Sequence, residues 1–384
     1  MDRRRSKKSV LGSWGGVAVV GVLLVLPARA GAEEFDTYRL VGSFDTPDGV
    51  GPIGVLPDGR IVTLFGDELL VESDVASRDF TSLGFLASAD ISSFGAAFVR
   101  VSPDGSKVAV GNNGGASFDH YQIGVVDLES LSVVWFDAEH FDATWWDNAR
   151  LVITASDFVR PGVVTVLDTT SADPGNPDNV TVIGGIGGAS GGIALDAEGD
   201  LFTGNGFATT GPSGTGAIKA FAAADWTAAV GGGPVIDFEA DGTFIADVLS
   251  ASPLGFDAEG NLFLGGGDDA PDDDAVAVIR AGAIARVRSG GAPIDAADPA
   301  DVRRFDPISD SDFNYYSAAY NRVTGELYVR DFADPTVYVY RGGEAVPAVS
   351  AWGLAVMALC VMSVGTVALR GGAVCRVADV EASR

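Results

Sequence analysis

One local pattern recurs six times along this chain and constrains its fold more than any other feature. In each copy an apolar strand runs into a polar turn, mostly of the Asp-Gly or Glu-Gly kind, and a second strand returns. Glycine accepts the positive φ values that tight turns between antiparallel strands require. The pattern therefore predicts six β-hairpins. They cover residues 54–62, 99–110, 145–153, 193–202, 254–263 and 319–329.

Further strand-like runs follow each hairpin. Third strands are expected at residues 121–128, 163–168, 217–221, 283–287 and 336–340, and fourth strands at 133–136, 180–183, 235–238 and 302–305. The units recur at roughly 45 to 65 residues, the size of a four-stranded propeller blade. The sequence thus predicts an all-β, six-bladed β-propeller over residues 33–343. A seven-bladed ring would need one more blade inside the fourth or fifth unit.

The two ends of this domain indicate how the ring closes. The sixth unit stops after its third strand at residue 340, and a lone strand-like run at residues 38–44 precedes the first unit. If that run joins the last blade as its outer strand, it seals the ring and protects the sheet edges.

The turn pattern resembles the repeats of NHL-type six-bladed propellers, most clearly at residues 190–202. The resemblance extends to the gluconolactonase family, whose propellers hold a divalent metal on the axis with Glu, Asn and Asp ligands. The resemblance implies an Asn or Asp residue just before the glycine of the innermost strand. The matching stretches here, residues 190–192, 252–255 and 51–54, lack the expected Asn. A central metal set cannot be carried over residue by residue.

Charge and cysteine content exclude several classes of function. The chain has a formal charge of -27, which repels phosphates and excludes nucleic acid as a partner. Such an acidic surface suits divalent cations, saline water or cationic partners. The only cysteines, Cys360 and Cys375, lie beyond residue 343. The propeller region therefore has no disulfide and no cysteine-based metal site.

Residues 1–30 have the three parts of a secretory signal peptide. A cationic start, rich in arginine and lysine, precedes an apolar core of about a dozen residues. Ala28 and Ala30 provide the small-x-small pattern of a cleavage site. We expect the chain to be exported and cleaved near this point.

The C-terminal residues predict a membrane segment. Residues 350–369 carry no charge and are long enough for one transmembrane helix, and a tail at residues 370–384 would be cytoplasmic. Residues 344–349 form a linker. This end resembles bacterial IPTL-CTERM and PEP-CTERM sorting signals, through Val346, Pro347, Ser350, Trp352, Gly353 and Arg370. The resemblance implies an exosortase-type sorting protease as a partner, although the family usually ends in several arginines, soon after the helix.

The densest acidic run is a speculative calcium site. Calcium takes several oxygen ligands, and closely spaced carboxylates repel one another unless a cation or water separates them. The residues are Asp268, Asp269, Asp272, Asp273 and Asp274. Their spacing does not match an EF-hand loop, so a solvated loop between the second and third strands of the fifth blade is the competing interpretation.

Other candidate residues carry weaker signals. His120 and His140 lie beside carboxylates and are acid–base candidates, but no nucleophile motif accompanies them. Adjacent Trp145 and Trp146 must point to opposite faces of a strand, so one is expected to pack between blades.

Together these features predict an exported propeller, anchored in the membrane or sorted to the cell surface or extracellular matrix. Without an evident catalytic set, it would bind or scaffold an unknown surface or matrix ligand. One alternative is a metal-dependent hydrolase resembling the lactonases. Another is an acidic structural matrix protein, packed through bridging cations.

Overall fold

The computed structural model of the protein describes the propeller region with gaps between its strands. The described residues are 38–47, 51–86, 91, 96–112, 121–155, 161–187, 189–206, 216–248, 253–265, 276–305, 316–331 and 335–342. The predicted signal peptide, with Ala28 and Ala30, and everything beyond residue 342 lie outside these ranges. Among the described residues no helix has the length and apolar character needed to cross a membrane.

The described strands form six sheets, which are antiparallel except for one short parallel strand at the outer edge of two of them. Strand β1 (Arg39–Asp45) comes first in the chain. Blade 1 contains β2 (Ile53–Val55), β3 (Ile61–Phe65), β4 (Glu68–Glu72) and β5 (Phe80–Phe85). Blade 2 contains β6 (Val99–Val101), β7 (Lys107–Gly111), β8 (Gln122–Asp127) and β9 (Val133–Asp137). Blade 3 contains β10 (Asp142–Trp145), β11 (Arg150–Ala155), β12 (Gly162–Asp168) and β13 (Asn179–Ile186).

The second half of the chain interrupts the same order with short helices. Blade 4 contains β14 (Ala189–Leu195), β15 (Leu201–Gly206), β16 (Gly216–Phe221) and β18 (Thr243–Val248). Between β16 and β18 the chain forms α1 (Ala223–Val230), β17 (Ile236–Asp237), which belongs to the sheet of blade 3, and α2 (Phe238–Asp241). Blade 5 contains β19 (Leu254–Phe256), β20 (Leu262–Leu264), β21 (Val276–Ile279) and β23 (Val302–Phe305). Between β21 and β23 the chain forms α3 (Ala281–Arg288) and β22 (Ile294–Asp295), which belongs to the sheet of blade 4. Blade 6 contains β24 (Tyr316–Asn321), β25 (Glu326–Asp331) and β26 (Thr336–Arg341).

The ring closes as the sequence predicts. Strand β1 pairs antiparallel with β26, with Leu40 opposite Tyr340 and Phe44 opposite Val337, so the N-terminal strand becomes the fourth strand of blade 6. Each innermost strand contacts the innermost strand of the next blade, and β24 contacts β2. Six blades, with no additional blade in the fourth or fifth unit of the described chain, confirm the predicted all-β, six-bladed propeller.

A buried tyrosine ties the closing strand to blade 5. The hydroxyl of Tyr38 donates to Asp257 Oδ2 at 2.7 Å, and Asn261 Nδ2 donates to the same oxygen at 2.7 Å. Burial raises the pKa of Tyr38, and the neighbouring Asp257 carboxylate raises it further, so the hydroxyl remains a donor. Tyr38 thus fixes the start of β1 as well as contributing to the core.

The repeated acidic turns are held by their own side chains. Asp196 accepts the backbone N–H groups of Glu198 and Asp200, and Asp257 accepts those of Glu259 and Asn261. Equivalent bonds form at Asp58, Asp104, Asp147 and Asn321. Gly199 takes a φ of 82°, a conformation that glycine adopts at little steric cost. The repeat is therefore a structural turn signal, as predicted.

Two of the predicted strands are wrong. Residues 283–287 lie in α3, and the third strand of blade 5 is β21. Ala283, Ile284 and Val287 are all buried on one side of α3. In a run this short, the pattern of apolar residues does not distinguish a helix from a strand. Residues 235–238 contain only the two-residue β17 and the start of α2, and the fourth strand of blade 4 is β18.

These helices belong to two equivalent insertions, which we call the latches. The α1 latch joins β16 to β18, and the α3 latch joins β21 to β23. Each extends back to the preceding blade, where β17 pairs parallel with β13 and β22 pairs parallel with β18. The helix starts are equivalent as well, because Asp200 Oδ1 accepts the N–H of Ala223 at 2.7 Å and Asn261 Oδ1 that of Ala281 at 2.9 Å.

Candidate functional site

The predicted calcium and sorting residues lie outside the described ranges. Residues 268–274 follow β20 and precede β21, which places the acidic run between the second and third strands of blade 5, as expected. The sorting residues lie beyond residue 342. Within the described ranges, no group of three or more His, Cys, Asp or Glu side chains is arranged to hold a metal ion.

The described innermost strands carry mostly small and apolar residues. Gly54 is packed so closely that a Cβ there would lie 3.0 Å from side-chain atoms of Val62 and Val99. A Cβ on Gly192 would lie 2.5 Å from the backbone nitrogen of Leu254 in blade 5. The blades therefore approach one another through backbone contacts near the axis, and larger side chains would separate them.

One charged pair lies on these strands and joins three blades. Arg100 Nη2 of β6 donates to Asp142 Oδ1 of β10 at 2.6 Å, and Arg100 Nε donates to the carbonyl of Ala143 at 2.7 Å. The second oxygen of Asp142 accepts the N–H of Ile193 in β14 at 3.2 Å. Burial raises the pKa of Asp142, while Arg100 and the two backbone donors oppose that rise. These bonds use both carboxylate oxygens, so Asp142 ties blades 2, 3 and 4 together.

His140 lies just before β10, and its imidazole is buried among aromatic rings. Phe98 and Tyr121 contact it edge to face, with ring centroids 5.3 and 5.5 Å away. Nδ1 lies 2.9 Å from the carbonyl of Ala138, which fixes Nδ1 as the protonated nitrogen, and Nε2 abuts Gly111 with no hydrogen-bond partner among the described residues. Burial lowers the pKa of His140 to about 4. The ring is therefore neutral near pH 7 and acts as a packed core residue.

The two adjacent tryptophans serve different neighbours, as their positions predict. Trp145 is buried, and its Nε1 donates to the carbonyl of Arg100 in blade 2 at 2.8 Å. Trp146 packs against Trp226 of α1 with ring centroids 4.7 Å apart, and the guanidinium of Arg150 lies 3.6 Å from its ring. Both rings therefore stabilise contacts between blades or with the α1 latch.

A buried charged network, which no sequence pattern indicated, holds blade 1 against blade 6. Glu72 is fully buried and accepts the N–H groups of Ile61 and Arg78, as well as Arg78 Nη1. Arg78 also pairs with Glu326 at 3.6 Å and lies over the ring of Phe44 at 4.2 Å. Glu72 ends β4, whose sequence Glu-Leu-Leu-Val-Glu gives no sign that this glutamate is buried, so only the fold reveals this network.

Hydrogen bonds dominate the environment of Glu326. Burial alone would raise its pKa, but hydrogen bonds from Tyr328, Thr324 and Arg341 outweigh burial and hold the pKa below its usual value. Tyr328 donates at 2.9 Å and Arg341 at 2.7 Å. The carboxylate is thus ionised and committed to ring closure.

The calcium hypothesis for residues 268–274 makes a simple thermal prediction. If the folded domain binds calcium there, added calcium raises the melting temperature by several degrees over an EDTA-treated sample, because a ligand of the folded state stabilises it. Asp272→Asn together with Asp274→Asn should then abolish the shift. The same melting temperature with calcium and EDTA would contradict the hypothesis.

The sheet order, the ring closure and the blade contacts define a six-bladed β-propeller. No protein-family model matches the sequence, and comparison with curated proteins gives no match. Comparison with solved structures finds propellers.

The PQQ domain of a pyranose dehydrogenase from Coprinopsis cinerea, in its holo form, aligns at a TM-score of 0.50 and 11% identity, over 79% of this chain and 97% of that one. A candidate gluconolactonase aligns at 0.47 and 11% identity, over 80% and 98%. A chain of the mitotic checkpoint complex aligns at 0.48 and 13% identity, over 89% and 96%. The alignment with the PQQ domain, at 11% identity, shows a shared fold and does not extend to activity.

Proposed function

We propose that the protein is an exported β-propeller that binds a partner at the cell surface or in the extracellular matrix and catalyses no reaction. The observation that favours binding over catalysis is that the charged and polar side chains near the axis are engaged in contacts within the protein itself. Arg100 and Asp142 bond to each other and to backbone groups of adjacent blades, and His140 is buried and neutral. Acid–base and nucleophilic catalysis need groups that can reach a substrate.

The location is argued from the two ends of the sequence. Residues 1–30 have the pattern of a secretory leader, and residues 350–369 are long and apolar enough for a membrane span. Strand β26 ends at Arg341, so only residues 342–349 connect the folded domain to this segment. Eight residues extend over at most about 28 Å, which would keep the propeller close to the membrane until the tail is cut.

Fractionation tests this location directly. We expect the full chain to sediment with membranes and to resist alkaline extraction, whereas a chain stopped after Val349 should remain in the soluble fraction. Trp352→Ala would leave the apolar run long enough to insert and serves as a control. Equal distribution of the full and shortened chains between membrane and soluble fractions would contradict an anchoring role.

Both alternatives depend on a bound cation. A metal-dependent hydrolase needs a divalent ion for its chemistry, and a cation-packed matrix protein needs bridging ions between acidic surfaces. The comparison of calcium with EDTA therefore tests both. Calcium-dependent aggregation would favour the matrix protein, and a calcium-dependent rise in melting temperature that Asp272→Asn together with Asp274→Asn leaves intact would favour the hydrolase.

A further inference from the structure

Two exposed phenylalanines and a glutamate form one row across blade 1, at the end of the sheet where β3 turns into β4. Phe65 of β3 lies opposite Glu68 of β4, and Glu68 lies opposite Phe85 of β5. Directly opposed residues of antiparallel strands project from the same face of a sheet, so the two phenyl rings flank the carboxylate. Phe65 is 44% exposed and Phe85 is 70% exposed, which leaves this Phe-Glu-Phe row open to solvent.

The row lies on the face of blade 1 that is turned toward blade 6. Side chains four residues apart in a strand project to the same face, so Phe65 shares a face with Ile61, and Glu68 shares one with Glu72. Ile61 belongs to the core cluster that blades 1 and 6 share. Glu72 binds Arg78, which also pairs with a glutamate of blade 6. Strand β4 therefore carries one glutamate of this face at each of its ends.

The Glu72 end of β4 shows what such a group of side chains can hold. The guanidinium of Arg78 lies 4.2 Å from the ring centre of Phe44 and 5.3 Å from that of Tyr328. The same guanidinium pairs with the Glu72 carboxylate at 3.3 Å. Aromatic faces attract a cation that lies within about 6 Å of the ring centre. One arginine is thus bound within this protein by a carboxylate together with two aromatic rings.

The Phe-Glu-Phe row offers the same groups without a cation. In the described part of the chain, Glu68 forms no hydrogen bond or ion pair, and neither Phe65 nor Phe85 has an aromatic or cationic contact. Neighbouring strands lie about 4.8 Å apart, so the two phenylalanines are separated by about 10 Å, with Glu68 between them. A cation above Glu68 would therefore lie about 5 Å from each ring, within the range of this attraction.

Charge favours a cation that comes from outside the chain. The protein has 52 acidic and 25 basic residues, and Asp67 adds a second carboxylate in the turn before Glu68. Such an excess of negative charge attracts cationic partners and speeds their association. Among cationic side chains, arginine fits best, because its planar and weakly hydrated guanidinium stacks on aromatic rings and pairs with carboxylates.

We propose that the Phe-Glu-Phe row is a docking site for an arginine side chain of a protein partner. The guanidinium stacks between Phe65 and Phe85 and pairs with Glu68, as Arg78 does with its own neighbours at the other end of β4. This inference rests on the proposed binding function and adds to it the chemical class of the partner, a protein that presents arginine.

Fluorine NMR of the full chain in detergent, with 4-fluorophenylalanine in place of Phe85, tests the site. The probes are the peptide acetyl-Gly-Arg-Gly-amide and its citrulline analogue, which has nearly the same shape and no charge. The arginine peptide should shift the fluorine resonance saturably, and the citrulline peptide should bind about fivefold more weakly or less. Glu68→Gln should weaken binding of the arginine peptide by about threefold or more. Asp58→Asn, which removes an exposed carboxylate from another turn, is the matched control and should leave the affinity unchanged.

Two results would overturn the proposal. One is a fluorine resonance that the arginine peptide does not move. The other is an affinity for that peptide that the citrulline analogue equals or that Glu68→Gln leaves intact.

Co-sedimentation of the purified full chain with envelope and matrix fractions of the producing cells separates this inference from the proposed function. Co-sedimentation that Glu68→Gln and Phe85→Ala both leave unchanged would retain the binding function and reject the row as its docking site. An arginine-specific fluorine shift without any co-sedimentation would retain the docking site and reject a partner at the cell surface or in the matrix.

Discussion

Replacing Glu72 with alanine is expected to lower the free energy of unfolding by about 3–5 kcal/mol. The side chain is fully buried and accepts two backbone N–H groups and the guanidinium of Arg78. Its removal leaves those donors without their acceptor, and truncating one partner of a buried ion pair typically costs this much. Because Arg78 also contacts Glu326 of blade 6, the loss should weaken the closure of the ring. Urea denaturation at pH 7 measures the change.

Asp58→Ala is the matched control for this prediction. Asp58 also accepts a backbone N–H and an arginine, but its side chain is exposed and both partners belong to Arg60 of its own turn. Its replacement should cost no more than about 1 kcal/mol. Equal losses for Glu72→Ala and Asp58→Ala would mean that the charged network does not hold blades 1 and 6 together.

His140 should make the domain less stable as the pH falls through the range below neutrality. Unfolded histidine has a pKa near 6.5, whereas burial lowers the pKa of His140 to about 4 in the folded protein. Between these values the unfolded chain binds the additional proton, so stability is complete above pH 6.5 and is lost as the pH falls toward 4. The difference corresponds to about 2.5 kcal/mol between pH 7 and pH 4.5. Urea denaturation at several pH values measures it.

His140→Phe supplies the comparison. A phenyl ring retains the contacts with Phe98 and Tyr121 but cannot bind a proton, so the variant should lose most of this pH dependence. Asp142, two residues away, has a raised pKa and acts in the opposite direction, since the folded state gains its proton first as the pH falls. Asp142 is present in both proteins, so their difference isolates His140. Parallel pH profiles for the two proteins would contradict a buried, neutral imidazole.

The turns explain why the fold could be predicted from the sequence. Each blade repeats a turn in which Asp or Asn accepts nearby N–H groups, and Asp196 and Asp257 do so with the same geometry. That function depends only on local backbone, so it leaves a local signal. Closure by β1 was predictable for a related reason, because the incomplete sixth unit lacked a strand that residues 38–44 could supply.

The latches and the buried charges could not be predicted in this way. The sequence of β17 is only two residues long, and its pairing with β13 depends on contacts between blades. Both latches contain a Gly-Gly pair followed by Pro-Ile or Pro-Val-Ile, and this shared sequence could have indicated two equivalent insertions. The sequence was instead interpreted as one strand inside each latch. Glu72 and Arg78 gain their roles from the approach of blade 6, which depends on residues more than 200 positions away.

The candidate site follows the same division. Patterns at the two ends predict export and membrane attachment because leaders and membrane spans are recognisable from composition alone. Whether Arg100, Asp142 and His140 are catalytic or structural could be decided only from the fold. In sequence, a histidine next to a carboxylate looks the same in both cases. Their contacts favour a structural role, and this is why the binding function is proposed over a hydrolase.

Surface labelling of intact cells tests the central claim, an exported and correctly closed propeller, most directly. Residues 33–343 contain no cysteine, so Phe85→Cys and Val110→Cys can each be placed in a chain with Cys360 and Cys375 replaced by serine. Phe85 is 70% exposed, whereas Val110 is fully buried. A membrane-impermeant maleimide should label F85C on intact cells and V110C only after denaturation. Labelling of F85C only after lysis, or ready labelling of native V110C, would contradict the account.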